Sequence, residues 1–436
     1  MNIIIAGAGK VGFNLAKTLS IGYNVTIIDK NKEALQRIQE SLDILPIDGD
    51  VEDAKTYENF TNKKIDLFIA VTNIDNVNLI SVLVADTILD IERRFVRLQK
   101  QVFDGTNVAQ KLSIDKLVFP LKLASLSIAS LISYPKANNV KFFKYTQKKL
   151  ISLMVTQATV VECDGFEVVG IERNKEFFIP QYDQQIELLQ DDLVYFFGEE
   201  SAIKKVCENL ELQTKKSLQR CVVFGGDALG VAITKELLAQ GCSVKIVEKD
   251  LALCELADEM LQGKATVINS KYASHDIFEE ESLSCADMFI AATTNDEYNI
   301  IKSLEAKESG IDKVVAINNE MEYYSLMHSL GIIVVRGPKM SAYQSIMEEI
   351  NSQGVVIQKS YCGARGVIFM RKIFEEPKLF GKTIRPPRVQ HTKTFYIRNG
   401  VMLPLVQKLL LQKEDLLVVF TTQAQSPKMK QWIYEL

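Results

Sequence analysis

Three glycines, Gly7, Gly9 and Gly12, follow the β-branched run Ile3-Ile4-Ile5 at the spacing G-x-G-x-x-G and lead into a helical pattern. Each has a mechanical use there. Gly7 permits a tight turn, Gly9 lets backbone amides approach a diphosphate at a helix N-terminus, and Gly12 allows close packing of helix on strand. Asp29, 17 residues after Gly12, closes the next apolar run, Val25-Thr26-Ile27-Ile28. Its carboxylate suits a free ribose 2′-hydroxyl and disfavours a 2′-phosphate, so the pattern points to a nucleotide other than NADP.

The pattern returns further along the chain. Cys221 to Gly230 repeats Ile3 to Gly12 in outline at an offset of 218 residues, and Glu248 closes the following strand as Asp29 does. Ala291-Ala292-Thr293 through Asn299 matches Ala70-Val71-Thr72 through Asn78, and Pro338 matches Pro120. The chain is a tandem duplication. The second copy departs where phosphate chemistry is decided: Asp227 replaces the middle glycine, and Asn269-Ser270-Lys271 stands where the first copy has Asp48-Gly49-Asp50. Its site, Gly225, Gly230, Glu248 and Thr293, is therefore expected to bind phosphate weakly or not at all, leaving that copy as scaffold.

The elements that must hold these residues are legible from periodicity. Val11, Leu15 and Leu19 fall on one helical face, while Leu67 to Val71 and Phe95 to Leu98 have the unbroken apolar character of buried parallel strands. Strands alternating with helices over the first ~130 residues of each copy predict a doubly wound parallel sheet. Residues 151–197 and 355–420 change to strand-rich texture punctuated by turns such as Cys163-Asp164-Gly165 and Arg398-Asn399-Gly400. The fold class expected is α/β, with two Rossmann-like sheets each followed by a small β-rich module. The division expected is 1–135, 136–215, 216–350 and 351–436, with boundary stretches at 136–149, 213–219 and 351–353.

Composition narrows the function. Of 436 residues, 51 are Lys or Arg and 55 are Asp or Glu, a net charge of −4 that does not suit a globally basic nucleic-acid binder. The charge is uneven: residues 365–436 hold 13 cations and 5 carboxylates, a net of +8, leaving −12 on residues 1–364. With Trp432 and Tyr434 in that tail, phospholipid or an acidic partner is one reading and a solvated face the plainer one. The most apolar stretch, Leu117 to Ser133, is interrupted by Pro120 and Lys122, so no membrane span is expected, and nothing marks the N-terminus for export. The expected location is cytoplasmic. Seven cysteines without a C-x-x-C pair fit reduced, packed thiols. His275, His328 and His391 have no zinc-type spacing, and neither a G-x-S-x-G elbow nor a P-loop is present, so neither a metal site nor a catalytic residue is expected.

Taken together, Gly7-Ala8-Gly9-Lys10-Val11-Gly12, Asp29, Gly49-Asp50, Ala70-Val71-Thr72 with Asp75 and Asn78, and Arg97 resemble the cytosolic regulatory proteins of potassium channels and transporters. These are built from tandem RCK (KTN) units, as in the TrkA-type potassium uptake family. The resemblance covers nearly the whole chain. It implies that the amides of Gly9, Lys10 and Val11 hold phosphates and that Asp29 holds the adenosine ribose. It also implies that Asp50 and Val51 border the adenine, Thr72 and Asn73 line the site, and Arg97 reaches phosphate or a neighbouring subunit. Lys10 and Arg97 also make sense as cations beside a diphosphate. In the second copy the place of Arg97 falls near Ile317. The glycine-lysine turn Gly381-Lys382-Thr383 resembles the family's β-module and is expected to have no counterpart in the shorter first module, whose expected role is contact between domains.

The resemblance further implies NAD(H) or ATP/ADP as ligand and a homotetramer whose eight nucleotide domains form a ring. That ring would lie, as a peripheral protein on the inner face of the plasma membrane, under a TrkH-like potassium-translocating subunit, with no nucleic acid and no catalysis. Leu126, Ile128, Leu131 and Ile132, after Pro120, could pack between subunits. Two other readings share the motifs: an NAD-dependent oxidoreductase, and a regulator of a potassium efflux antiporter.

Overall fold

The run Asn2–Ala6 (β1), buried from Ile3 onward, is the centre of a six-stranded parallel sheet. The computed structural model describes residues 1–135, 137–143, 145–182, 185–209, 218–270, 277–351, 356–373 and 381–436. Lys136, Lys271, His275, residues 213–217 and residues 352 and 353, all named above, lie outside them, as does the side chain of Cys207. Two compact units divide the chain, one of residues 1–125 with 336–347 and the other of residues 126–335 with 348–436.

In the first unit β1 is followed by α1 (Lys10–Leu19), β2 (Asn24–Asp29), α2 (Lys32–Gln39), β3 (Leu45–Asp48), β4 (Lys64–Ala70), α3 (Asp75–Ile88), β5 (Asp90–Arg97), α4 (Val108–Lys111), β6 (Lys116–Val118) and the start of α5 (Pro120–Ala129). The strand order β3-β2-β1-β4-β5-β6 reverses between β1 and β4, so the loops after those strands open one crevice at the carboxyl edge. Val11, Leu15 and Leu19 are buried on α1, as their spacing requires.

The second unit continues with β7 (Ala137–Phe143), β8 (Thr146–Met154), β9 (Thr159–Glu162), β10 (Phe166–Arg173), β11 (Glu176–Phe178), β12 (Gln185–Leu188), β13 (Leu193–Gly198) and α6 (Glu200–Asn209). The second parallel sheet and its helices are β14 (Arg220–Phe224), α7 (Ala228–Ala239), β15 (Ser243–Glu248), α8 (Leu251–Leu261), β16 (Thr266–Asn269), α9 (Ile277–Glu280), β17 (Met288–Ala291), α10 (Asp296–Glu308), β18 (Lys313–Asn318), α11 (Tyr324–Ser329), β19 (Ile333–Arg336) and α12 (Pro338–Asn351), whose residues 338–347 belong to the first unit. Its order, β16-β15-β14-β17-β18-β19, reproduces the first. A second module follows: β20 (Val356–Tyr361), β21 (Gly366–Lys372), β22 (Thr383–Ile384), β23 (Thr392–Arg398), β24 (Val401–Pro404), β25 (Leu409–Leu410), β26 (Leu416–Thr422) and α13 (Ser426–Glu435).

The two modules share one plan. Sheets β11-β10-β13-β8-β7 and β24-β23-β26-β21-β20 are antiparallel, and each carries a two-stranded ribbon, β9 with β12 and β22 with β25. A staple recurs too: Arg173 grips Asp192 by two bonds of 2.7 and 2.8 Å, and Arg398 grips Asp415 by two of 2.8 Å. The ribbon that follows the turn Gly381-Lys382-Thr383 does have an equivalent, which Ala158-Thr159-Val160 opens with neither glycine nor lysine. Apolar residues of both modules, among them Phe143, Leu150, Tyr195 and Phe197 from the first and Tyr361, Phe395, Val418 and Phe420 from the second, form one core. Strands such as β13 are therefore buried along their whole length, with no alternation between faces.

Other expectations need adjustment. The boundary stretch 136–149 is mostly strand, β7 and the start of β8. The helix after Pro120 ends at Ala129, so Leu131 and Ile132 lie beyond it; Ile128 and Leu131 are buried within the chain, leaving Leu126 exposed. Trp432 and Tyr434 pack onto the apolar clusters beneath α13. No helix among the described residues is long and apolar enough to cross a membrane.

Candidate functional site

The glycine turn of the first copy is shaped by contacts that only glycine tolerates. Gly7 has φ +113°, in the left-handed region, and a Cβ there would stand 2.9 Å from the Thr72 amide nitrogen. A Cβ at Gly12 would stand 1.9 Å from the Gly7 carbonyl oxygen, so α1 rests directly on the turn. Gly9 is different. It is the N-cap of α1 with φ −68° and ψ −175°, which any residue adopts, and a Cβ there meets nothing within 4 Å. No side chain caps α1 and its first turn holds no carboxylate, so its N-terminal amides face an open approach.

Around this turn the other named residues assemble. Asp29 accepts hydrogen bonds from the amides of Ala8 at 2.6 Å and Asn31 at 2.8 Å, which fixes the carboxylate at the lip of β2. A carboxylate has about four acceptor positions, so capacity remains for a hydroxyl. Asp50 is exposed and takes the Glu52 amide, while the Val51 carbonyl takes the buried Tyr57 hydroxyl at 2.7 Å. Thr72 is held by Asn78, whose Oδ1 accepts from the Thr72 amide and hydroxyl and whose Nδ2 donates to the carbonyls of Thr72 and Arg97. One fully buried amide side chain thereby ties the end of β4 to the end of β5. Lys10 lies half-buried at the first helical position.

Arg97 is the unusual group. It is 6% exposed, donates to Asn73 Oδ1 at 3.1 Å and lies within 3.5 Å of the carbonyls of Val71 and Thr72, yet its Nε has no partner. No carboxylate among the described residues forms an ion pair with it. Burial lowers its pKa from the ordinary arginine value, with the charge of Asp75 opposing. A buried guanidinium without a counter-ion is costly, and an anion beside it removes that cost. Open helix amides, a near cation and an unmatched buried donor fit a phosphate-bearing ligand.

The second copy keeps the frame and fills the site. Gly225 has φ +118°, and a Cβ at Gly230 would lie 1.9 Å from the Gly225 carbonyl oxygen. Asn299 holds Thr293 as Asn78 holds Thr72, and its Nδ2 reaches the carbonyl of Ile317, which therefore occupies the place of Arg97. Asp227, with φ −70° and ψ −175°, matches the backbone of Gly9 and turns its carboxylate onto the amides of Leu229 at 2.9 Å and Gly230 at 3.1 Å. The helix N-terminus carries its own anion. Burial raises the Asp227 pKa, with the charge of Glu248 adding, against the two amide bonds that lower it. Glu248 accepts from the amide of Gly226 at 2.7 Å, and a Cβ at Gly226 would lie 2.9 Å from Glu248 Cβ. The longer acid thus requires glycine where the first copy has Ala8 beside Asp29. Asn269 spans the carbonyls of Glu248 and Lys249 in place of Asp48.

The residues not picked out as candidates are Asn78 and Asn299 in their clamp role. The signal was present as a Thr and an Asn six positions apart in both copies. Among the described residues six cysteines are free thiols, and no group of three His, Cys, Asp or Glu side chains could hold a metal ion.

Comparison with known proteins agrees with this architecture. The TrkA-N domain family matches residues 3–120 and again 221–338. A Trk system potassium uptake protein TrkA homolog of Archaeoglobus fulgidus is 26% identical over 392 residues, covering 88% of this chain and 88% of that protein. The Trk system potassium uptake protein TrkA of Halomonas elongata is 29% identical over 372 residues, covering 82% and 80%. Among solved structures, the RCK domain of GsuK covers 100% of this chain and 95% of its own at TM-score 0.62 and 15% identity, and the GsuK channel bound to NAD covers 100% and 79% at 0.64 and 13%. Those likenesses show the fold. With more than half its length inside two matches to one domain, the chain belongs to the TrkA-N family and carries that domain in tandem.

Proposed function

We propose that the chain is a nucleotide-binding, non-enzymatic regulatory subunit of a potassium uptake system. Its first copy, through Gly7, Gly9, Lys10, Val11, Gly12, Asp29, Asp50, Val51, Thr72, Asn73 and Arg97, takes NAD(H) or ATP/ADP, and its second copy serves as ligand-free scaffold. The observation that carries this reading is Arg97, buried beside an open glycine turn with neither a counter-ion nor a partner for Nε among the described residues. Support comes from relatives named as potassium uptake proteins over four fifths of the chain or more, and from a structural neighbour bound to NAD. We place domain boundaries near residues 135, 215, 350 and the C-terminus.

In this reading the chain assembles as a homotetrameric ring at the inner face of the membrane and gates a TrkH-like translocating subunit. A ligand that prefers one ring shape shifts the population by its differential affinity, and no covalent step is needed. Calorimetric titration with NADH, NAD⁺, ATP and ADP tests it. One site per chain, lost in Arg97→Met, is the expected result; two sites, or a site insensitive to Arg97, overturns the assignment. Reconstitution with a membrane subunit and a ⁸⁶Rb⁺ flux assay tests the gating.

A further inference from the structure

The two β-modules share a fold and a core but present opposite charge. Among the described residues 137–198, five carboxylates are exposed against one lysine; among 356–436, seven cations are exposed against two carboxylates. The contrast is sharpest on the ribbons. In β9–β12 the pairs Ile186↔Val161 and Leu188↔Thr159 alternate with Gln185↔Glu162 and Glu187↔Val160. Ile186, Val161 and Leu188 are buried, so the outer face shows Glu162, Glu187 and Val160, the last 57% exposed. In β22–β25 the pairs Ile384↔Leu409 and Thr383↔Leu410 put the first inward and leave Leu410 53% exposed. Lys382, Arg385 and Lys408, all exposed, flank it.

Arg385 directly follows β22 and Lys408 directly precedes β25, so the two cations flank the last pair of the ribbon, Ile384↔Leu409. Like charges gathered at one end of a ribbon favour an anion between them. At the equivalent place in the first module, Gln185 donates to Glu162 at 3.0 Å, a satisfied pair. Lys382 donates to the Leu436 oxygen at 3.4 Å, whereas no ion pair among the described residues joins Arg385 or Lys408 to a carboxylate, and none joins the two ribbons of one chain. Arg385 and Lys408 are exposed and so are open to a carboxylate brought by a partner. A face of matching build, an exposed aliphatic tip between two carboxylates, is carried by every copy of this same chain.

We propose that the basic ribbon of the second module docks on the acidic ribbon of the first module of another copy, with Leu410 against Val160 and Arg385 and Lys408 meeting Glu162 and Glu187. The contact is heterologous, so it joins copies head to tail and closes a ring only where the rotation permits. It does not depend on any nucleotide. Being exposed, it is salt-sensitive, since charges further apart than about 8 Å are screened at physiological ionic strength.

Sedimentation of the full-length chain tests the proposal through a charge swap. At 50 mM salt the wild type self-associates, and at 500 mM the association weakens about tenfold or more. The variants Lys382→Glu/Arg385→Glu/Lys408→Glu and Glu162→Lys/Glu187→Lys each lose it, with circular dichroism unchanged. An equimolar mixture, in which one protein has two acidic ribbons and the other two basic ones, regains it. A monomeric wild type, a triple variant that associates like the wild type, or a mixture that stays dissociated overturns the proposal. So does a triple variant that sediments normally but no longer floats with phosphatidylglycerol vesicles, a result that would assign the ribbon to a lipid surface.

Discussion

Replacing Gly9 by Asp should strengthen the fold and destroy the site at once. The backbone at Gly9 already has the φ and ψ of Asp227, and a Cβ there meets nothing within 4 Å, so the side chain enters without strain. Its carboxylate is then placed to accept from the second and third amides of α1, as Asp227 does from Leu229 and Gly230. A cap of this kind gains a few tenths of a kcal/mol over glycine, and removing glycine's freedom from the unfolded chain adds about 0.4–1 kcal/mol. The expected gain is about 1 kcal/mol, a rise of a few degrees in Tm. Binding moves the other way. A phosphate charge about 4 Å from a carboxylate at an effective dielectric near 20 is repelled by about 4 kcal/mol, and the amides it would use are occupied. Affinity should fall by about 10³ or to nothing measurable. Parallel calorimetry with NADH and ADP and thermal melts of the ligand-free protein check both arms. Ligand affinity within threefold of wild type, or a variant destabilised by more than 1 kcal/mol, would refute the equivalence of Gly9 and Asp227 on which the reasoning rests.

Arg97→Met should raise the melting temperature of the ligand-free protein, because an unpaired buried charge is removed, while ADP affinity drops at least tenfold; a lowered Tm in differential scanning fluorimetry would contradict the charge argument. Asn78→Ala and Asn299→Ala each orphan buried groups of the same four-bond clamp, so each should cost about 2–4 kcal/mol in urea unfolding, and a clear inequality between the copies would count against equal roles. Glu200, held to about 2 by hydrogen bonds from Lys149 and Tyr134, adds stability that is present above its unfolded pKa and lost as pH falls towards 2; Glu200→Gln should flatten denaturation midpoints measured from pH 5 to pH 3.

What the sequence disclosed were features encoded as spacing along one strand or turn. The glycine trio, Asp29, Glu248 and the intruding Asp227 all lie within about 30 residues of their strands, and the duplication exposes every departure by comparison. Two features escaped because they are set by distant chain. The module strands were legible only as strand-rich texture, and that β13 is buried throughout was not, because one module covers the other. The ribbon of the first module was missed because backbone pairing, and not a glycine-lysine signature, makes it. The +8 charge of the C-terminal stretch was countable, but which cations stand outside was not: Lys393 is fully buried against Glu167, and Arg371 spends itself on the carbonyls of Ile433 and Tyr434.

The single core beneath both modules has a bearing on how the chain is made. Leu193 and Leu416, equivalent residues of that core, are separated by 223 positions (416 − 193), so a ribosome working at about 5–20 residues per second leaves the first module waiting for about 10–45 s. During that interval Phe143, Leu150, Tyr195 and Phe197 have no opposite face to meet. Long-range closure of this kind is slow, and an unfinished β-sheet edge invites pairing with another nascent chain. The halves of the duplication have thereby lost their independence: the first half, cut out and expressed alone, is destined to pair with itself or to aggregate.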